Sequence, residues 1–577
     1  LPQIMGVVNR DGIGNEVAPQ YNDFWLTYIK QIADILNGWD GYPAADLYSN
    51  PKVMKMFTAL GRLTLCGRTT AQLGDSKSCA NKELVLRPDL LLDVFHRTGD
   101  ITSAQLCYFA NGNSTDGLHL DIFSKDAESI RERVRQVVEE HGGYEYGQSD
   151  QLAGYGFSIL RDGTLLETAN KSNTLDTQRD FWISYAHTAY GHGHLDALNL
   201  GIHAFGLDMA PDFGYPESGL DDENSVQWAK NTISHNTVMV DGIRQIGLKV
   251  NGTPMHFDDS GRVKVMDVDA ERAYAATDIY RRTLVMVEVS DEVSYGVDFF
   301  RVRGGNEHLY SFHSQSDQIA ETEGLNLVQQ EGGSYAGANV AWGANSKYLN
   351  GYTWLRNVRR AANVKNFSVD FKVKDFKNVL GYPTDTNLRM TTLNDFDLTE
   401  VAIAEAMPPR IADNAKIPYF EYVLAKRKGT KLDSLFTTVY EPYKNERYIK
   451  EMEAVSVAAK DGESADAVRA VKVVHTNDRV DYIVYSANNT VTYRVDDLFD
   501  FKGFVGVYTM KDGEAIYAYL NDGTQIGDTT MAQAAVTGTV SDFTRDFVTE
   551  NHIIIQPDAD VDPESLSGRW IMIQNDG

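Results

Sequence analysis

The feature that most constrains the fold is a change of pattern at Gln151. From there almost to the end, short runs of alternating apolar and polar residues are separated by Gly, Asn and Asp turns, which is typical of strands. Representative runs are Thr237–Val240, Arg282–Val289, Val293–Val302, Phe367–Val373, Ala467–His475, Val480–Ser486 and Ile516–Leu520. So many strands with few helices between them predict a large antiparallel β-sandwich.

The first 145 residues have a helical pattern instead. Asn22–Leu36 carries apolar side chains at helical spacing, and Asp89–Phe95 and Asp126–Val138 predict two further helices. Ser124 and Asp126 are candidate caps for the last of them. We therefore expect a multidomain α+β chain. Its expected units are a helical region (1–145), an antiparallel β-sandwich (146–430) and a smaller C-terminal β-sheet region (431–577).

The composition excludes some classes of partner. The 577 residues include 54 Lys and Arg against 81 Asp and Glu, a formal net charge of −27. Such an acidic surface argues against nucleic acid and anionic membrane as partners, and an acidic substrate would need a locally basic site. We find no run of 18 apolar residues, so membrane insertion is not expected. No organic cofactor is expected either, and the oligomeric state is not indicated.

The chemistry is expected to centre on the run GHGHLD. If it formed a strand, His192, His194 and Asp196 would point to one face. Two imidazoles and a carboxylate together suit a metal site, a proton-transfer site, or both. Gly191 and Gly193 leave room for a ligand or a second backbone to approach. The alternative is a group of packed or solvated histidines.

Two later residues extend this group. Asp212 lies in PDFGY and His235 lies in SHNTVMVDG, on separate predicted strands. Together with His194 they would supply three ligands to a zinc ion, which prefers about four.

These residues also carry a family resemblance. The run GHGHLDALNLGIHAFGLDMAPDFGY, followed by SHNTVMVDGIRQ, resembles the signature of the heparinase II/III-like polysaccharide lyases. The resemblance implies that His192 lies at the catalytic centre and that His194, Asp212 and His235 bind a structural Zn²⁺. The early segment DGIGNEVAPQY resembles the family segment whose tyrosine is the catalytic acid and base, which implies that role for Tyr21.

The resemblance further implies a fold and a substrate class. The helices would be the C-terminal part of an incomplete (α/α) toroid whose remainder lies upstream, in a periplasmic or secreted protein. The branch it resembles most is polysaccharide lyase family 15, whose members act from chain ends. We therefore expect exolytic cleavage of an acidic, uronate-containing polysaccharide, with heparin or heparan sulfate favoured and alginate as the alternative. Candidate substrate-binding residues are Glu16, Arg161, Lys171 and Arg179.

Such a lyase breaks the bond to C4 by β-elimination. It must neutralise the C6 carboxylate, remove the C5 proton and protonate the departing O4. Tyrosine has a reference pKa of about 10, so we expect nearby positive charge to lower the pKa of Tyr21. For one C5 epimer Tyr21 would serve both steps. For the other, His192 would be the base on the opposite face of the sugar. The residue that neutralises the carboxylate is expected upstream of this sequence.

Two functions of other classes stay open. A metal-dependent hydrolase would use His194, Asp212 and His235 to activate water. A sugar-binding sandwich would have no catalytic role. Only a lyase yields a product with a C4–C5 double bond, which absorbs in the ultraviolet.

Overall fold

The structure is a computed structural model of the chain. The residues that it describes are 6–77, 79–80, 83–123, 126–162, 177–185, 192–215, 225–246, 252–409, 416–464, 467–531, 536–545, 552–566, 571 and 573. Ser124, Lys171 and Gly191 lie outside them. Over the described residues the chain is mostly β, with helices before residue 145 and several antiparallel sheets after it, as the pattern predicts.

The helical region contains the three predicted helices and two more. The α-helices that lie entirely within the described residues are α1 (Pro19–Leu36), α2 (Pro51–Thr58), α3 (Pro88–Thr98), α4 (Ile101–Ala110) and α5 (Ala127–His141). Asp126 caps α5, because its carboxylate accepts a 3.0 Å hydrogen bond from the backbone N–H of Ser129. Helix α4 buries residues on most of its sides and so shows no apolar stripe in sequence. Among the described helices, none is both long and apolar enough to span a membrane.

A five-stranded antiparallel sheet follows the helices. A short pair, β1 (Thr64–Leu65) and β2 (Thr69–Thr70), precedes it. The sheet runs in chain order through β3 (Asp150–Leu152), β4 (Phe157–Arg161), β5 (Arg179–Ser184), β6 (Asn199–Ala204) and β7 (Leu207–Asp208). Phe181 and Ile183 of β5 face the core shared with the large sheet, whereas Trp182 faces the core shared with the helices. This sheet therefore lies between the helical region and the large sheet.

The large sheet has twelve strands among the described residues, all paired antiparallel. They are β8 (Val238–Val240), β9 (Thr253–Asp258), β10 (Val263–Asp269), β11 (Thr277–Ser290), β12 (Val293–Gly304), β13 (Glu307–His313), β14 (Ile319–Glu323), β15 (Val328–Gln329), β16 (Arg356–Val373), β17 (Thr386–Ala406), β18 (Phe420–Lys428) and β19 (Asp433–Lys444). The main path is β8-β13-β18-β17-β19-β12-β11-β10-β9, and β16 joins β14 and β15 to β17. Residues of this sheet and of the five-stranded sheet share one hydrophobic core.

Smaller sheets complete the described chain. One contains β20 (Ile449–Val455), β22 (Val468–His475), β23 (Arg479–Ser486), β26 (Val505–Lys511) and β27 (Glu514–Asn521). Another contains β21 (Val457–Ala459), β24 (Tyr493–Val495), β25 (Phe499–Lys502), β28 (Gln525–Ile526) and β29 (Thr529–Thr530). A final hairpin pairs β30 (Gly538–Phe543) with β31 (Ile553–Pro557).

The start of the C-terminal region differs from the predicted position at residue 431. Strand β19 begins at Asp433 and pairs with β12 and β17 of the large sheet. A division at 430 would therefore remove a central strand from that sheet. We propose to place it between β19 and β20.

Helix α1 has apolar side chains on two faces. Leu26 and Ala33 are buried against the helical core. On the other side, Phe24, Tyr28 and Ile35 are 59%, 53% and 78% exposed. A helix that is apolar on both faces commonly packs on both.

Candidate active site and metal centre

The segment around His192 and His194 is an irregular loop, not the strand that the sequence suggested. Strand β6 starts only at Asn199. The expectation that His192, His194 and Asp196 alternate onto one face of a strand is therefore wrong. Both histidines are instead oriented by a second loop, at residues 73–77, which passes directly beside them.

Two glycines allow the loops to approach so closely. Gly74 has a φ of +57°, and a Cβ atom there would lie 2.2 Å from the carbonyl oxygen of His192. Gly214 has a φ of +71°, and its Cβ would lie 2.2 Å from the carbonyl oxygen of Lys77. Any other residue at either position would be strained and would push the loops apart. The loop is also tied at both ends, because Asp75 N donates to His192 O and Tyr215 N donates to Lys77 O, each at 2.8 Å.

The centre of the site is Asp75, which the sequence interpretation missed. Its Oδ2 lies 2.9 Å from His192 Nδ1 and 2.8 Å from Lys230 Nζ, and its Oδ1 lies 3.1 Å from His194 Nε2. The carboxylate is fully buried. Burial alone would favour the neutral acid, but hydrogen bonds and charge from His194 and Lys230 hold the pKa of Asp75 at about 2.

Tyr21 sits at the start of helix α1 and meets His192 directly. Their rings stack with centroids 3.6 Å apart and planes inclined by 13°. Tyr21 Oη donates a 3.2 Å hydrogen bond to Tyr215 Oη. Burial, Tyr215, Asp75 and Glu16 all raise the pKa of Tyr21 well above its usual value. The expectation of a lowered pKa is therefore wrong for this structure, and Tyr21 is a phenol at neutral pH.

His194, Asp212 and His235 converge as predicted. His194 Nδ1 lies 3.1 Å from His235 Nε2, and Asp212 places one oxygen 3.5 Å from each of these nitrogens. All three side chains are buried, and their ligand atoms lie within 4.8 Å of one another. This group could therefore hold a metal ion.

The donor set also fits a metal chemically. His235 Nδ1 lies 2.8 Å from the carbonyl oxygen of Asn231, and His194 Nε2 faces Asp75. Each imidazole therefore carries its proton on the nitrogen that faces away from the group. The lone pair of its second nitrogen points towards the centre of the group. Asp212 Oδ2 is buried without a hydrogen-bond partner. A cation would satisfy all three inward-facing atoms.

Without a metal, a proton would take its place. Burial disfavours charge on His194, but hydrogen bonds to Asp212 and Asp75 outweigh it and raise the pKa of His194 to about 9. Burial raises the pKa of Asp212, but the neighbouring His235 and His194 outweigh it and lower that pKa. A charged His194 can donate from Nδ1 into the group and from Nε2 to Asp75 at the same time.

The candidate substrate-binding residues divide. Glu16 is half-buried beside Tyr21 and raises the pKa of Tyr21.

Arg161 is buried, and its guanidinium donates to the carbonyl oxygens of Gln148, Arg62 and Thr64. Arg179 is 2% exposed, and its guanidinium donates to the carbonyl oxygen of Thr177 and lies over the Phe205 ring. Arg161 and Arg179 are thus committed to holding the fold, and their interpretation as substrate ligands is not retained. Lys171 lies outside the described residues.

Comparisons with known proteins find a family model and solved structures that resemble the chain. Residues 183–380 match the family model "Heparinase II/III-like, C-terminal". The fold resembles "Heparinase III-BT4657 gene product", with a TM-score of 0.52 and 15% identity over 84% of this chain and 60% of that one. It also resembles heparan sulfate lyase HepC from Pedobacter heparinus, with a TM-score of 0.52 and 14% identity over 82% of this chain and 59% of that one. The chain thus spans about three-fifths of either structure. No curated protein sequence matches it.

Proposed function

We propose that the chain is a heparinase II/III-like polysaccharide lyase acting by β-elimination, because its residues 183–380 match the C-terminal model of that family. The observation that carries this proposal is the contact between Tyr21 and His192, a phenol and an imidazole stacked at 3.6 Å. Together they supply a proton donor and a proton acceptor within reach of one sugar. Tyr215 adds a second hydroxyl beside the phenol.

The stacked rings support an assignment of the two steps. His192 Nδ1 is occupied by Asp75, so Nε2 keeps a lone pair that can remove the C5 proton. Tyr21, whose pKa is raised, donates its proton to O4. A pyranose cannot lie between two rings 3.6 Å apart, because carbon contacts need about 3.5–4.0 Å on each side. We therefore propose that both groups approach the sugar from one side, instead of the opposite faces that the sequence led us to expect for one C5 epimer.

We further propose that His194, Asp212 and His235 bind Zn²⁺. When bound, the ion would cross-link the loops that carry these ligands and stabilise the site. All three ligands are 2% exposed or less. Catalytic zinc sites keep a position open to water, whereas structural sites are closed. The burial therefore favours a structural ion and argues against a zinc-dependent hydrolase.

The substrate class rests on the relatives. The two structures that the fold resembles are named as a heparinase III and a heparan sulfate lyase. We propose an acidic, uronate-containing polysaccharide, with heparin or heparan sulfate favoured and alginate as the alternative, cut from the chain end by a periplasmic or secreted enzyme. The helical region would be part of an (α/α) toroid, in which neighbouring helices would cover the exposed residues Phe24, Tyr28 and Ile35 of α1.

Incubation with heparan sulfate, heparin and alginate separates the candidate functions. A lyase generates new reducing ends together with ultraviolet absorbance from the C4–C5 double bond. A hydrolase generates reducing ends without absorbance, and a binding module generates neither. Reducing ends without absorbance, or no cleavage of any of the three, would reject the lyase proposal.

A further inference from the structure

We propose that Asp75 is a positioning residue that fixes the ring tautomers of His192 and His194 together, and so serves the metal group and the proton-transfer pair at the same time. The role at His192 rests on the proposed function, whereas the role at His194 does not. Both follow from one buried carboxylate that accepts hydrogen bonds from two imidazoles and an ammonium.

The two rings need opposite tautomers. His192 must carry its proton on Nδ1, facing Asp75 Oδ2, so that Nε2 stays free to accept a proton. His194 must carry its proton on Nε2, facing Asp75 Oδ1, so that Nδ1 directs its lone pair towards Asp212 and His235. Because a carboxylate only accepts, it can satisfy both rings at once. A metal-ligating histidine commonly donates its other N–H to such a carboxylate.

Lys230 makes the two oxygens of Asp75 inequivalent. Its ammonium has only donors and lies 2.8 Å from Asp75 Oδ2, on the same oxygen that faces His192. The backbone of Lys230 is tied to the histidine loop, because Leu195 N donates to Lys230 O at 3.1 Å. The position of Oδ2 therefore has to hold an acceptor, whereas the one hydrogen-bond partner of Oδ1 within the described part of the chain is His194.

This asymmetry predicts which ring fails when Asp75 becomes asparagine. The amide must place its carbonyl oxygen beside Lys230 and His192, because an NH₂ group there would meet two donors. The NH₂ group then faces His194 Nε2, which has to accept and so loses its proton to Nδ1. The Nδ1–H of His194 now points at the centre of the metal group, which is formed by His194, Asp212 and His235. His192 keeps its productive tautomer. Asp75→Asn should thus damage metal binding first.

Removing Lys230 as well should reverse the effect. In Asp75→Asn/Lys230→Met the amide is free to turn its carbonyl oxygen to His194 and its NH₂ group to His192. Metal binding then recovers. His192 instead loses its productive tautomer, because it has to accept a hydrogen bond at Nδ1 and carry its proton on Nε2. Lys230→Met alone keeps the carboxylate and should keep its zinc affinity.

The test is zinc titration of the 577-residue chain and these three variants, by competition with a chelating dye. Asp75→Asn is expected to weaken zinc binding about 10–100-fold, and the double variant to recover much of that loss. Wild-type affinity in Asp75→Asn, equal weakness in the double variant, or no zinc uptake by the wild type would each overturn the proposal. Circular dichroism confirms that each variant is folded.

Ring ¹⁵N shifts of labelled histidine provide a second measurement, since they distinguish the two tautomers directly. In zinc-free Asp75→Asn the His194 signals should show a proton on Nδ1 and none on Nε2, while those of His192 stay unchanged. An unchanged His194 would reject the mechanism even if zinc affinity falls. Neither measurement uses a polysaccharide. A missing lyase activity with the expected zinc and ¹⁵N results would reject the proposed function and the role of His192 in proton transfer, and would leave the role of Asp75 at His194 intact.

Discussion

The ring of Tyr21 lies flat on the ring of His192, with centroids 3.6 Å apart, although 171 positions separate them in sequence. Tyr21 belongs to helix α1, whereas His192 belongs to the loop before β6. The contact therefore joins the helical region to the five-stranded sheet, and it depends on both keeping their positions.

Tyr21→Phe should abolish elimination while the fold persists. The change removes one oxygen and keeps the stacked ring, so only the proton donor and its hydrogen bond to Tyr215 are lost. General acid–base groups typically contribute about 10²–10⁴-fold, and we expect a loss in that range. The measurement is product absorbance under saturating substrate. Tyr28→Phe, on the same helix but 53% exposed, is the matched control and should keep the wild-type rate. A Tyr21→Phe rate close to that of the control would remove Tyr21 from the mechanism.

The stacked pair also predicts a preference between uronate epimers. Groups on one side of the sugar can serve a C5 proton and an O4 that lie on the same face, which is the relationship in glucuronate. In iduronate the two lie on opposite faces, and His192 and Tyr21 cannot flank the ring. Glucuronate-containing heparan fragments should therefore be cut much faster than iduronate-containing ones. Equal rates on matched fragments would show that the rings separate when substrate binds.

The sequence predicted the parts of the site that lie in recognisable runs. His192, His194, Asp212 and His235 fall in motifs, and the metal group among them forms as expected. The alternating runs after Gln151 likewise predicted antiparallel sheets, because period-two burial is visible in sequence.

Other features depend on contacts that no local pattern encodes. Asp75 contacts His192 across 117 positions from a loop without periodicity, so no hydrophobic pattern marks it. Arg161 and Arg179 were misinterpreted for a related reason, since an arginine that donates to backbone carbonyl oxygens looks like a surface charge until the fold is known. The single informative signal near Asp75 was Gly74, whose positive φ permits the close approach of the loops.

A half-buried histidine between the large sheet and the C-terminal sheets predicts a pH-dependent stability. His256 lies 2.8 Å from Asp267 through Nδ1 and 3.1 Å from Asp522 through Nε2. Burial and the charge of Arg281 lower the pKa of His256. The carboxylates of Asp267 and Asp522 outweigh both effects and raise that pKa. Because the folded pKa exceeds the unfolded value of about 6.5, this stabilisation is complete below that pH and is lost as the pH rises through the folded value.

His256→Gln should therefore lower the Tm more in mildly acidic solution than in alkaline solution. The difference in Tm between wild type and variant is measured across that range by calorimetry. His119→Gln, at an exposed position, is the control and should show a difference that does not vary with pH. A His256→Gln difference that is constant, or that grows with pH, would contradict the assignment of a charged His256.

Removal of zinc should lower the stability of the protein more than its elimination rate. Ligand binding to the folded state alone stabilises it by about 2.7 kcal/mol when the ligand is at 100 times its Kd, so chelation should lower the Tm clearly. The catalytic pair should survive, because a metal-free His194 with a pKa of about 9 still donates from Nε2 to Asp75 at neutral pH. Asp75 then keeps His192 in place. We expect the chelated protein, assayed well below its Tm, to retain most of its elimination rate, and Asp212→Asn to behave alike. A rate that falls to background on chelation while the Tm is unchanged would instead place the metal in the chemistry itself.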